Sequence, residues 1–340
     1  MASVFVRANA AALNDSQTAF AGSVAIDRGP IADLTANADT IVVANYGDNS
    51  VTVVRPDSAG APAVVPVEGE PFAVALTDDR AFVVTSDLDA DAVQVIDTRT
   101  NSVVGCYPLA FSVTAVAASP DGKRAYAARA GHDHVDVAVI DITADRVGTV
   151  DIGAGAGTTI DALAADPSGR RLYVAVTTSR GSRVVVVDTE TAKARKSIAF
   201  GAPIRDLAVA ADGTVYALTS DLQARGVIEV VDPKTFAITA SIGAGTLPIQ
   251  MALSADGARA YVVDYDQVAV LCTLTHEVVE TITVGTRPAA AALNAEGDRL
   301  YVADVEGNVT AFRVAAPAPT YSPFDAVAFD AVRELAPVGV

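Results

Sequence analysis

His132-Asp133-His134 places two imidazoles one residue apart. Alternation along a strand would put both on one face, the beginning of a divalent-metal site. The remaining histidine, His276, falls in a turn expected on the opposite side of the molecule, so a three-histidine zinc site is not available. Asp87-Leu88-Asp89-Ala90-Asp91 opens like a calcium loop, but Ala92 stands where glycine is needed and Thr98 where a bidentate glutamate is needed. A solvated acidic loop is the better reading. Gly153-Ala154-Gly155-Ala156-Gly157-Thr158-Thr159 has the look of a phosphate cradle. No Lys-Ser/Thr follows it, and a strand comes next, so no helix N-terminus would meet the anion. Its glycines suit a link that needs positive φ. No Gly-x-Ser-x-Gly elbow occurs. Cys106 and Cys272 lack a neighbouring histidine and read as buried structural thiols, with a reducing compartment the simpler setting. No catalytic residue, metal site or cofactor is assigned.

The elements that would position such groups are short strands. Pro248–Gly285 holds four apolar runs of three to seven residues, separated by turns too short for a crossover helix. That is a four-stranded antiparallel meander. The unit recurs: second strands begin near Val42, Phe82, Tyr126, Tyr173, Tyr216, Tyr261 and Tyr301, at intervals of 40 to 47 residues. First turns read Ser119–Gly122, Asp166–Gly169, Ala210–Gly213, Ser254–Gly257 and Asn294–Gly297, and four third strands end Val-Ile-Asp or Val-Val-Asp, at Asp97, Asp141, Asp188 and Asp232. Seven such copies predict an all-β, seven-bladed β-propeller of four-stranded antiparallel blades. Blade seven lacks a fourth strand, because the chain turns proline-rich after Val314. Ser23–Pro30 aligns with Thr281–Pro288, so residues 18–27 are expected to supply that outer strand and close the ring.

Leu300-Tyr301-Val302-Ala303-Asp304, the run Val43–Val51 and the start at Pro248 resemble the YVTN (YncE-like) propeller repeats over residues 18–314. The resemblance implies a WD40-like binding scaffold of the kind found in actinobacteria, surface layers and periplasmic propellers. It also implies a cell-envelope setting, as an accessory protein of a membrane transporter complex that exports mycolate lipid.

The expected domains are an extension over 1–17, the propeller over 18–314, and a spacer and helix over 315–340. Net charge is −17, and lysine is limited to four positions, so phosphate neutralisation of a nucleic acid is disfavoured. The uncharged run Thr100–Pro120 is long enough to span a bilayer, but the repeat splits it into two strands. The N-terminus lacks a basic and then apolar leader pattern, so a cytoplasmic location is expected, peripheral to the inner membrane through a partner and without direct insertion. Ser322-Pro323 opens a short amphipathic helix with Phe324, Val327, Ala328, Ala331, Val332 and Leu335 on one face. That face is read as docking on the propeller itself or on a protein partner.

The strand 1–2 and 3–4 turns should share one face of the ring, with most of the basic residues. The strand 2–3 loops and blade links should form an acidic second face. The innermost strands are mostly alanine, valine and leucine; Asp33, Asp161, Arg205, Asp206 and Gln250 are the exceptions, and Arg287 lies at the mouth. These six are the candidate ligand or partner residues. The leading reading is a non-enzymatic binding scaffold. A lactonase-like metal-assisted hydrolase at the acidic mouth and a nucleic-acid-binding propeller are the alternatives.

Overall fold

The computed structural model describes residues 18–314, apart from 89, 111 and 222–224. It contains seven sheets of four antiparallel strands, each in simple meander order except the last. In blade seven the strands Pro288–Leu293, Arg299–Asp304 and Asn308–Val314 are completed by Thr18–Ala25. The pairing runs Thr18 opposite Val314 to Ala25 opposite Asn308, with Val24 opposite Val309. The N-terminal strand therefore closes the ring as the alignment of Ser23–Pro30 predicted. The segment 100–120 divides into Ser102–Leu109 and Ser112–Ala118, on two different blades. The extension 1–17 and the helix read over 324–335 lie outside the described residues.

The apolar content of the sequence is used between blades rather than within them. Each sheet has two apolar faces, and neighbouring blades stack to give seven separate clusters around the ring. The cluster of Val24, Ile31, Leu34, Val43, Tyr301 and Val309 joins the last blade to the first, so closure is sealed by packing as well as by pairing. Second and third strands are buried nearly throughout, as in Ile41–Asn45 and Ser50–Val54. Outer strands such as Lys193–Phe200 expose most of their residues.

One regular irregularity sets the channel. In six blades the register of the innermost strand against the second strand shifts by one residue. The extra residue is a β-bulge, which re-aims the side chains that follow. Asp161 and Arg205 are the unpaired residues of two of these bulges.

Candidate functional site: the channel girdle and the rim of blade six

Asp33, Asp206 and Gln250 occupy the same ladder position in blades one, five and six, opposite Ala44, Leu218 and Val263. An innermost strand is a sheet edge, so its free amides face the channel. These three side chains satisfy amides of the next blade. The Val74 amide donates to Asp33 Oδ2 at 2.9 Å, the Met251 amide to Asp206 Oδ2 at 2.8 Å, and the Ala291 amide to Gln250 Oε1 at 2.8 Å. Asp33 Oδ1 and Asp206 Oδ1 also accept from the amides of Leu34 and Leu207. Gln250 Nε2 donates to Asp33 Oδ1 at 3.2 Å, tying blade six to blade one past blade seven. The result is a polar girdle beside a channel cavity of about 410 Å³.

Burial is the main influence on the two carboxyls. It raises Asp33 to about 7, with the Asp206 charge adding to the rise and the amides of Val74 and Leu34 opposing it. It raises Asp206 to about 6 against the amides of Met251 and Leu207. Of the six expected site residues, the structure gathers Asp33, Asp206 and Gln250. Asp161 is half-buried and accepts from the Thr159 hydroxyl, and Arg205 is exposed; neither lines the cavity.

Arg287 belongs to a different arrangement. It lies over the Tyr265 ring, 5.8 Å from the centroid, on the face of strand 2–3 loops and blade links. Asp264 organises this rim. Its carboxylate accepts from the amides of Thr246, Leu247 and Tyr265 at 2.7–2.9 Å. Burial pushes the Asp264 carboxyl up, but those three amides outweigh it and hold the group below the ordinary aspartate value. Gly245 has φ +98, and a Cβ there would collide with Asp264 Oδ2, so glycine is required twice over. With both chains pinned to one carboxylate, Leu247, Ile249 and Tyr265 project into solvent at 45%, 51% and 59% exposure. Ile249 immediately precedes Gln250, so the rim stands directly on the girdle. The sequence signal for this cluster was Leu247-Pro248-Ile249, an apolar triplet inside a link, together with Tyr265 in a polar turn.

The other motifs resolve locally. His134 Nδ1 meets Asp133 at 3.2 Å, His132 is exposed, and no three potential metal ligands come together among the described residues. Asp87 accepts from its neighbour Leu88, and Asp91 accepts from the Val113 amide of the next blade at 2.7 Å. Gly155 and Gly157 have φ +132 and +72 in the link after blade three. The reading of both cysteines as buried is corrected. Cys106 is exposed on an outer strand, because alternation there turns it away from the blade interface. Cys272 is partly exposed and stands where other blades carry the turn aspartate. Arg129, near the end of the strand Arg124–Ala130, is buried at 8% and makes a bidentate pair with Asp136 at 2.7 and 2.9 Å.

No family model matches the chain. Among solved structures it superposes on a chain of hydrazine synthase from Kuenenia stuttgartiensis with a TM-score of 0.72 and 19% identity, over 86% of this chain and 98% of that one. The Cps50 (Swd1) β-propeller domain of Myceliophteria thermophila gives a TM-score of 0.71 at 13% identity, over 87% and 99%. Both likenesses concern the fold alone. The chain is 34% identical over 294 residues to the seven-bladed beta-propeller protein Rv1057 of Mycobacterium tuberculosis, covering 75% of each. It is 53% identical over 301 residues to a seven-bladed beta-propeller protein of Mycolicibacterium smegmatis, covering 88% of this chain and 82% of that one. The chain therefore belongs to the family of seven-bladed β-propeller proteins that these two mycobacterial members represent.

Proposed function

We propose that the protein is a non-enzymatic binding propeller that docks a protein partner on the rim of blade six. One observation carries this reading: Asp264 fixes two chain segments so that Leu247, Ile249, Tyr265 and Arg287 stand out together as a preorganised patch. Aromatic and arginine side chains are the usual anchors of protein interfaces, and rigid presentation lowers the cost of ordering them. The channel polar groups, by contrast, are occupied in bonds between blades. Asp266 and Glu306 lie exposed on the same face, so the matching partner surface is an apolar anchor flanked by basic side chains. In the finer reading the partner belongs to a cell-envelope lipid-transport complex, and the propeller is its accessory subunit on the cytoplasmic side. The mycobacterial kinship and the YVTN-like repeats support that setting. The test is purification of the tagged full-length chain from a mycobacterial host in mild detergent, beside a Tyr265→Ala and Leu247→Ala double variant. The reading expects a stoichiometric partner with the first and its loss with the second. Equal recovery from both overturns the rim as the docking site, and a transporter-free partner removes the transport setting.

A further inference from the structure

Five of the seven second strands carry a tyrosine at the same position, and one of these, Tyr173, is left without a hydrogen-bond partner among the described residues. At the seam between blades five and six the Tyr216 hydroxyl donates to the Gly257 carbonyl of the next blade at 3.2 Å, and the Thr273 hydroxyl donates to the same carbonyl. At the seam between blades three and four, Thr189 bonds the Gly169 carbonyl and contributes to the surroundings of the Tyr126 hydroxyl. At the seam between blades four and five the equivalent of these threonines is Pro233. It has no hydroxyl. It also has no amide for the bond that Thr189, Thr273 and Ile142 make to their own first turns. The first turn of blade five is one residue shorter as well: Ala210 pairs with Thr214, where Ser119, Asp166, Ser254 and Asn294 pair five residues ahead. Tyr173, fully buried, is left with a hydroxyl that has no hydrogen-bond partner among the described residues. It lies at the base of a pocket of about 340 Å³ whose rim carries Arg170, Arg171 and Lys234.

We propose that this seam is a binding site for a small oxyanion, a carboxylate or a phosphate. A buried hydroxyl without an acceptor costs free energy, and an anionic oxygen is the partner it lacks. The acids at the pocket are already engaged within their own turns. Asp166 accepts from the Arg171 amide and the Ser168 hydroxyl, and Asp212 accepts from the amide and hydroxyl of Thr214. Arg171 is held in place by its bond to the Pro233 carbonyl at 2.8 Å and by the Phe236 ring. The surrounding field agrees in sign. Blade four, Thr159 to Phe200, has seven basic and four acidic residues in a protein of net charge −17, and Lys193, Arg195 and Lys196 lie exposed on its outer strand.

The experiment is a thermal-shift titration of the full-length protein with sodium phosphate and, separately, sodium acetate, at constant ionic strength set by sodium chloride. At least one anion should raise Tm saturably; phosphate alone would point to phosphoryl groups, and acetate as well to carboxylates. Tyr173→Phe keeps the ring and removes the donor, and the apparent Kd should weaken roughly fivefold or more. An Arg170→Ala and Lys234→Ala double variant, at exposed positions that folding tolerates, should weaken it by a similar factor. Tyr216→Phe, at the bonded seam, should leave the Kd unchanged. No saturable shift with either anion, or the same Kd in wild type, Tyr173→Phe and the arginine–lysine variant, overturns the site.

Discussion

The channel girdle and the blade-six rim use the same device for opposite ends. In each, a carboxylate set among backbone amides fixes two pieces of chain. In the girdle those pieces belong to different blades, as when Asp33 takes the Val74 amide and Asp206 the Met251 amide. The bonds stitch the ring, and burial raises both carboxyls. At the rim the pieces belong to one blade and its incoming link, and amides in excess hold Asp264 low. There the bonds push apolar side chains outward. The difference teaches that a polar residue in the lining of a propeller channel is not by itself a ligand group. What it is bonded to decides.

The comparison is sharpened most by removing Asp264. Asp264→Ala leaves three part-buried amide hydrogen bonds of the rim without their acceptor, and urea denaturation should show a loss of about 3 kcal/mol in stability. An unchanged unfolding midpoint would mean that the rim is not built by this carboxylate. Next in size is the pH response of the girdle. Asp33 and Asp206 have folded values above those of the unfolded chain, so the folded protein binds more protons between about pH 4 and 7. Their contribution is fully present below the ordinary carboxyl value and is lost as pH rises through about 6 and about 7. Stability should fall by on the order of 2 kcal/mol between pH 5 and 8, allowing for solvent in the channel, and an Asp33→Asn and Asp206→Asn variant should flatten that slope. A wild-type profile that rises over the same window contradicts the assignment.

Much of this was legible in the sequence, for a physical reason. A meander blade is a local structure, so its strands and turns recur with the period of the chain, and the missing outer strand of blade seven was visible as a surplus copy at Ser23. Asp33, Asp206 and Gln250 were legible too, as polar residues in apolar strands. Asp161 and Arg205 looked equivalent to them because alternation cannot show a bulge, and one extra residue moves the neighbour into the channel position. Leu247, Ile249 and Tyr265 were not singled out, since their exposure follows from bonds to Asp264 between segments some twenty residues apart. Tyr173 carries no signal of its own; only Pro233, standing where Thr98, Thr189 and Thr273 do in three other blades, marks the seam.

The smallest expected effect distinguishes the two thiols. The Thr275 hydroxyl, with the amides of Thr275 and Leu274 beside it, lowers the Cys272 thiol, whereas partial desolvation against its own sheet and the Glu68 charge raise that of Cys106. Alkylation by iodoacetamide at pH 7, followed by mass spectrometry, should label Cys272 about threefold faster or more, although Cys106 is the more exposed. Faster labelling of Cys106 would show that access rather than thiolate character governs the pair.

The most direct test of rim against channel is the affinity of the copurified partner for two purified variants. Tyr265→Ala should weaken binding about tenfold or more while leaving the unfolding midpoint in place, and Gln250→Ala should lower the midpoint with little change in affinity. The opposite pattern, with binding lost in the channel variant and kept in the rim variant, would contradict the account.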